Sequence, residues 1–350
     1  MKNSALLRLL LVTVVAVPFC IAPSRPLAAQ SPEPAEPGPL CALSAPTTYP
    51  TATISNGQVH ALVYLPDART GYYRGSRFDW SGVVGCLQYK GHDYFGVWFP
   101  HYDPELHDSI TGPVESFYAA DNTPQHFNQA APGETFVKIG IGLLRRTGTE
   151  PYNAFARYPV VDPGRWRVHA GRSGILFRQD LRTPFGVGYV YAKKLQLDRH
   201  APVLVIDHAL KNTGREPMEV LVFNHDFFML DRTPTGPDTV VRFPFSPVPD
   251  VPLKNGAHVE GNRIVFDRTL ETGESAFAHL GGFSDAASQF DFTVENRATG
   301  VGVQETASLP LAQLVFWSVR TTICPEGYVK VSIAPGKTAH WQIRYRFYAK

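Results

Sequence analysis

The sequence lacks the features that define several large protein classes. It has only four cysteines in 350 residues, and charged residues make up 18% of the chain, with a formal net charge of +2. No block of lysines and arginines occurs, which argues against a nucleic-acid-binding surface. Beyond residue 30, no apolar run is long enough to cross a membrane. We therefore predict a globular protein that binds no nucleic acid and has no stable membrane span in its mature form.

Signals for helices and repeats are also missing. No window of about 12 residues carries apolar side chains at helical spacing, and the lack of a fixed-period repeat disfavours a propeller. About fourteen short segments, such as GILFRQDL, alternate apolar and polar residues as half-buried strands do. The segments PVLVIDHALKN and MEVLVFNHDFF, joined by NTGREP, are predicted to form a hairpin. Many strands without crossover helices predict an all-β fold, a large antiparallel sandwich whose cupped sheet would hold a ligand.

The first thirty residues differ from the rest of the chain. Two basic residues, Lys2 and Arg8, precede an apolar run that is followed by small residues at positions 28 and 29. This pattern is typical of a secretory signal peptide, so we predict a signal at 1–29 and an exported protein, periplasmic or secreted. Residues 30–45 are predicted to be a Pro-rich linker, and residues 46–350 a single β-sandwich domain.

Cysteine spacing and acidic residues give no metal signature. Cys41, Cys86 and Cys324 remain after the predicted signal, and two of them can pair in an oxidising compartment, although the sequence does not select the pair. The acidic segment HYDPELHD, 101–108, lacks the glycine and the spacing of a calcium loop. No phosphate loop, dinucleotide fingerprint or serine nucleophile elbow is present. We therefore predict no metal and no other cofactor.

The segment VLVFNHDFFMLDRTPTGP begins as an apolar strand and ends in polar residues around a histidine. Asn224 and Asp226 flank His225 and can orient an imidazole or bind a polar ligand, although a histidine in this position is also often a satisfied core residue. Near the end of the chain, Glu326 lies between two predicted strands, where a solvated loop carboxylate is the alternative. A histidine and a carboxyl group together suit proton transfer with hydroxyls, since both can be tuned toward neutral pH.

These segments resemble the aldose 1-epimerases, the galactose mutarotase-like family. The resemblance lies in VIDHALKNTGREPMEVLVFNHDFF, in CPE and in the closing YVKVSIAPGKTAHWQIRY, which follow one another as in that family. It implies an antiparallel β-supersandwich in a divergent, exported bacterial member. It also implies that His225 is a general acid that protonates the ring oxygen of a sugar. Glu326 would be the base that takes the proton of the anomeric hydroxyl and so opens the ring.

The segment GYYRGSRFDWSG, 71–82, has the composition of a sugar-binding site. Arg74, Arg77 and Asp79 offer planar donors and a carboxylate for hydroxyl groups, and the aromatic residues can stack on the apolar side of a pyranose. The family has a sugar-contacting arginine early in its chain, so the resemblance favours Arg77. The alternative is an arginine–aspartate pair that only holds a loop.

One residue that the family usually carries is missing. The family has a second histidine upstream, but the corresponding stretch TFVKIGIGLLRR has none. Earlier histidines that could take its place are His92, His101, His107 and His126, among which we select His101 as a substrate contact. The segment ITGPVESF resembles a Gly-Pro-x-Glu segment of bacterial members, so Glu115 is predicted to line or buttress the site.

Together these patterns predict a carbohydrate-active protein whose ligand is a mono- or oligosaccharide. The leading hypothesis is an aldose 1-epimerase-like enzyme that interconverts sugar anomers. The alternatives are a glycan lyase or hydrolase on the same fold and a carbohydrate-binding protein without catalysis; export and the missing histidine favour these two. The predicted catalytic pair is His225 and Glu326, and the predicted substrate contacts are Arg74, Arg77, Asp79, His101, Glu115, Asn224 and Asp226.

Overall fold

The regular structure of the chain is almost entirely β-strand. The computed structural model describes residues 48–350, in which helix is limited to two single 3₁₀ turns at Leu230–Arg232 and Ala287–Gln289. In this part of the chain no helix is long and apolar enough to span a membrane. Every strand pairing is antiparallel, so the predicted all-β class is confirmed.

Two large sheets and two small ones contain the strands, which are numbered in chain order. The ten-stranded sheet has the spatial order β16 (Ala257–Glu260), β17 (Arg263–Phe266), β14 (Thr239–Arg242), β19 (Asp291–Asn296), β20 (Val301–Ala307), β23 (Thr338–Ala349), β12 (Val203–Asn212), β11 (Gly188–Leu197), β10 (Gly174–Arg182) and β9 (Arg165–Ala170). The six-stranded sheet has the order β15 (Val248–Pro249), β18 (Ser275–Gly281), β21 (Gln313–Val319), β22 (Thr322–Ile333), β13 (Met218–His225) and β5 (Val114–Tyr118). The smaller sheets are β1 (Thr51–Ser55), β2 (Val59–Tyr64), β3 (Val83–Tyr89) and β4 (His92–Phe95), and β6 (Thr135–Lys138), β7 (Gly142–Arg145) and β8 (Val160–Asp162).

The main core lies between the two large sheets. Alternate residues of each strand point inward, as the period-two patterns predict. Val222 and Phe316 of the six-stranded sheet share one buried cluster with Ile206 and Ile343 of the ten-stranded sheet. On each strand, the residues that alternate with these inward ones point to the outer face of the sheet. The outer face of the six-stranded sheet is covered near β5 by a second, aromatic cluster from the loops before β9.

The predicted hairpin between the segments now called β12 and β13 is wrong. β12 pairs with β11 and β23 in the ten-stranded sheet, whereas β13 pairs with β22 and β5 in the other sheet. The connecting turn therefore forms an arch from one sheet to the other. Asn212 holds the arch, since its Nδ2 donates to the carbonyl oxygens of Glu216 and Ile333 at 2.8 and 2.9 Å. The closing segment forms a similar arch, because β22 and β23 also lie in different sheets.

The cysteines fall into two states. Cys86 is disulfide-bonded, and Cys324 is a buried free thiol, so a bond between these two is excluded. Cys41, the predicted signal peptide and the predicted linker up to residue 45 lie outside the described residues. The predictions made for them remain predictions.

Candidate functional site

The outer face of the six-stranded sheet brings the two predicted catalytic residues together. Phe223 of β13 lies opposite Tyr328 of β22, and the next residues on the same face are His225 and Glu326. Nε2 of His225 is 3.3 Å from Oε1 of Glu326, and the two side chains are only 4% and 7% exposed. The two side chains are thus close enough for both to reach the same bound group, as general acid–base catalysis requires.

Glu326 does not lie in a loop, as the sequence suggested, but inside β22. Pro325 and Gly327 look like chain breakers, yet each is accommodated in the strand. The β13–β22 ladder ends at Tyr328, so Pro325 lies where a missing N–H is tolerated. A Cβ on Gly327 would lie 2.4 Å from the ring of Phe290, so only glycine lets the core pack against this strand. The strand holds the Glu326 carboxyl group rigidly beside His225.

Aromatic rings enclose the imidazole of His225. The ring of Phe227 stacks on it at 3.8 Å with an interplanar angle of 8°, and Phe78 and Trp317 meet it edge-on at 5.5 and 5.4 Å. Phe227 adopts the left-handed backbone region, with φ of 49°, which non-glycine residues adopt only where the surroundings hold them. This backbone turn directs the ring onto His225, where it excludes water from one side of the imidazole.

Burial shifts both members of the pair toward their neutral forms. Desolvation, followed by the nearby Arg77, lowers the pKa of His225 well below its usual range. Desolvation also raises the pKa of Glu326 to about 8, although Arg77 opposes the shift. At neutral pH the pair therefore holds one proton on the carboxyl group and an imidazole free to accept one.

Arg77 lies beside the pair, as predicted for this residue. Its guanidinium forms an ion pair with Asp108 and packs on the rings of Phe78 and Phe155, with Cζ 4.5 and 4.6 Å from the ring centroids. Phe78 in turn meets the imidazole of His225 edge-on at 5.5 Å, so the guanidinium lies one aromatic ring away from the pair. The ion pair with Asp108 fits the alternative of a loop-holding pair, and the predicted sugar contact of Arg77 remains a prediction.

Two other predicted contacts lie apart from the pair. The side chain of Arg74 donates to the carbonyl oxygen of Gly71, which fixes the start of its own loop. His101 is exposed, and its carbonyl oxygen accepts a bond from Ser109 Oγ. Within residues 48–350, no hydrogen bond or ion pair joins either side chain to His225 or Glu326. Arg74 therefore has a local structural role, whereas the predicted sugar contact of the exposed His101 remains a prediction.

Asp79 and Glu115 point away from the cleft into the interior, so their prediction as sugar contacts is corrected. Glu115 forms an ion pair with Lys193, and its Oε1 is 2.8 Å from Nε2 of His208. Asp79 accepts a bond from Tyr191 at 3.0 Å and lies 3.8 Å from Lys193. The charged members of this cluster have no solvent exposure. Strand alternation in β5 turns Glu115 inward, whereas Asp79 lies in the loop before β3 and is held inward by its bonds to Ser81 and Tyr191.

Asn224 and Asp226 also lie on the core side of the sheet. Asn224 donates to the hydroxyl of Tyr345 at 3.0 Å, and that hydroxyl donates to Asp226 at 2.8 Å. Burial raises the pKa of Asp226 to about 7, although hydrogen bonds with Glu305 and Tyr345 oppose the shift. Because neighbours of His225 along a strand point to the opposite face, they position the strand end and do not face a ligand beside His225.

Sequence reasoning missed several residues around the pair. Asp108 pairs with Arg77, and its Oδ2 is 2.9 Å from Nδ1 of His107. Phe155 packs on both Arg77 and His107 from a loop that was assigned no role. In the segment HYDPELHD the acidic residues were considered only as metal ligands, and Asp108 was not considered as a partner of Arg77. Within residues 48–350, no group of three or more histidine, cysteine or acidic side chains could hold a metal ion.

Two surface cavities lie elsewhere. Volumes of about 320 and 680 Å³ occur on the ten-stranded sheet, beside Arg344 and Arg346 and beside Arg172 and His200 respectively. Neither is lined by His225, Glu326 or Arg77. The reactive pair is instead almost fully buried, and the rings of Phe78, Phe227 and Trp317 contact the imidazole.

Arg77→Ala is expected to weaken sugar binding by about 10- to 100-fold, because a charge-assisted contact to a hydroxyl contributes about 1.5–3 kcal/mol. Titration calorimetry with an accepted sugar measures this loss. Arg74→Ala is the matched control, since Arg74 is bonded within its own loop. A large drop in melting temperature for Arg77→Ala with unchanged affinity would assign Arg77 to loop structure alone.

Comparison with known proteins identifies the architecture. No protein-family model and no curated protein sequence matches this chain. Solved structures match it over most of its length. A protein from Synechocystis sp. PCC 6803 aligns with a TM-score of 0.54 and 14% identity, covering 88% of this chain and 99% of its own. A galactose mutarotase-like protein from Clostridium acetobutylicum aligns with a TM-score of 0.53 and 14% identity, covering 85% and 95%.

A third match is a galactose mutarotase-like protein from Lactobacillus casei ATCC 334, with a TM-score of 0.50, 13% identity and coverage of 85% and 100%. The chain has the galactose mutarotase-like fold. The predicted antiparallel β-supersandwich is thereby confirmed, and the three identities of 13–14% show the fold alone. A shared fold does not fix an activity, which has to be argued from the site.

Proposed function

We propose that this protein is an aldose 1-epimerase-like enzyme that interconverts sugar anomers. The observation that carries the proposal is the contact of 3.3 Å between His225 and Glu326, two buried groups with oppositely shifted pKa values beside a guanidinium. Such a pair offers one proton donor and one acceptor in a nearly dry site, as ring opening of a sugar needs. The fold of its structural neighbours supports a sugar as the ligand.

In the proposed reaction one group removes the proton of the anomeric hydroxyl while the other protonates the ring oxygen. The bond between the anomeric carbon and the ring oxygen breaks, and the anomeric carbon becomes a carbonyl carbon. Rotation of this carbonyl group before ring closure gives the other anomer, and the two protons return. No net proton is consumed, so the pair is regenerated in each cycle.

The resting protonation of the pair favours a direction for the first step. At neutral pH the proton lies on Glu326, so Glu326 is poised to donate and His225 to accept. The roles implied by family resemblance, with His225 as the acid, require that proton to move to the imidazole first. Both routes use the same total number of protons, so they share one dependence on pH.

The rate of anomer interconversion is expected to follow a bell-shaped pH profile. The pair must hold one proton, so activity falls above about pH 8, where Glu326 loses its proton. It also falls at acidic pH, below the lowered pKa of His225. Polarimetry of freshly dissolved single anomers of common aldoses, over pH 4–10 and corrected for the spontaneous rate, measures this profile.

The same screen separates the alternatives. Release of shorter chains or unsaturated products from oligosaccharides would identify a hydrolase or a lyase. Binding without conversion of any sugar would identify a carbohydrate-binding protein. Either result would overturn the epimerase proposal.

We also propose that the protein acts outside the cytoplasm, in the periplasm or as a secreted protein. The signal-peptide pattern at 1–29 supports this, as does the disulfide at Cys86, since disulfides persist in oxidising compartments. The N-terminal residue of the mature protein decides the point, and an intact Met1 on exported material would contradict it.

A further inference from the structure

The face that holds the reactive pair continues across two further strands. Glu326 of β22 lies opposite Val315 of β21, which in turn lies opposite His279 of β18. In the adjacent row, Trp317 of β21 lies opposite Phe277 of β18. Directly opposed residues project from the same side of a sheet, so Phe277 and His279 share a face with the pair.

The part of this face on β18 is exposed to solvent, whereas the part beside β5 is covered by the aromatic cluster. Phe277 is 46% exposed, and its ring meets that of His279 edge-on at 5.5 Å. The half-buried Trp317 lies between Phe277 and His225. The ring centroids of Trp317 and His225 are 5.4 Å apart. Since strands lie about 4.8 Å apart, Phe277 is about 10 Å from the strand of Glu326, far enough for a neighbouring ring of a chain.

The side chains of this extension suit a neutral sugar chain. The outward residues of β18 and β21 are uncharged apart from the imidazole of His279: Ser275, Phe277, His279, Gly281, Gln313, Val315, Trp317 and Val319. Exposed aromatic faces stack on the apolar side of a pyranose, and the imidazole and amide groups beside them can bond its hydroxyls. The absence of fixed charge from these two strands disfavours an anionic partner.

We propose that Phe277, with Trp317 beside it, forms a second sugar subsite, so that the ligand of this protein is a neutral oligosaccharide. Its terminal unit reaches His225 and Glu326, and the next unit stacks on Phe277. The inference rests on the proposed action on sugars, and it names the class of sugar. It selects a chain of at least two units over a free monosaccharide.

The test compares chain lengths in one assay. Glucose and galactose are measured against maltotriose, cellotriose and β-1,4-galactotriose, by polarimetry for turnover and by calorimetry for binding. Phe277→Ala is expected to raise the KM or Kd of the accepted trisaccharide by about 3- to 10-fold, because one aromatic stacking contact is lost. The values for the matching monosaccharide stay unchanged. Phe277→Trp is expected to restore trisaccharide binding, which a merely structural role would not predict.

Leu176→Ala is the control, because Leu176 is 40% exposed on the outer face of the ten-stranded sheet. Suppose that the wild-type protein binds and converts no trisaccharide better than the matching monosaccharide, and that Phe277→Ala changes the values for neither sugar. This inference then fails while the epimerase proposal stands. If the wild-type protein neither binds nor converts any of the sugars, both fail. A change of oligomeric state in Phe277→Ala with unchanged sugar binding would assign the surface to a second copy of the chain and overturn the subsite.

Discussion

His225→Asn and Glu326→Gln are each expected to lower the turnover of an accepted sugar by about 10²–10⁴-fold. Both replacements nearly preserve side-chain shape but remove proton transfer. Each group is buried in a neutral form at neutral pH, so a neutral amide should fit in its place with little strain. Melting temperatures close to that of the wild type, together with the lost turnover, would identify a catalytic pair.

The double variant is expected to lose little more than the slower single variant, because the acid and the base act in one step. His258→Asn serves as the matched control. His258 also faces a carboxylate, with Nε2 3.4 Å from Oε1 of Glu260, but both side chains are solvent-exposed and lie on the ten-stranded sheet. Turnover near the wild-type rate in both site variants would show that the pair is structural, and the binding-protein alternative would then lead.

Glu115→Gln is expected to lower the free energy of unfolding by about 3–5 kcal/mol, although Glu115 was first predicted to serve the site. The change leaves Lys193 in the core without its main countercharge, and buried charges are costly when one partner is removed. Chemical denaturation at neutral pH measures the loss.

Glu219→Gln is the matched control for this change, because the Glu219–Lys330 pair, at 3.5 Å, is exposed and contributes at most about 1 kcal/mol. Equal stability losses in the two variants would contradict the account of Glu115. If Glu115→Gln has wild-type stability but a lower affinity for sugar, Glu115 contacts the sugar, as the sequence first predicted.

The sequence was informative where local pattern decides the structure. Apolar alternation placed β13 and its terminal His225, and the order of short motifs pointed to Glu326 as its partner. Pattern could not show that Glu326 lies within a strand, since Pro325 and Gly327 are acceptable there only because of where the β13 ladder ends and where Phe290 packs. Such facts depend on residues far away in the chain.

Local pattern also could not separate a hairpin from an arch. β12 and β13 both alternate, and the turn between them has the residues of either connection, so the choice rests on the strands with which each of them pairs. The same limitation explains the errors at Asn224 and Asp226. Each is polar and adjacent to a correctly located residue, but its direction depends on the register of strands that come from other parts of the chain.

The arch between β12 and β13 has a consequence for how fast the protein can fold. Because the arch separates neighbouring segments, β13 finds its hydrogen-bond partners in β5 and β22, each about a hundred residues away. Loops of this length must close before any of those contacts stabilises the chain, which slows folding of β-rich proteins into the range of milliseconds to seconds or longer. The reactive pair, which joins β13 to β22, therefore assembles only after the long loop between these two strands has closed.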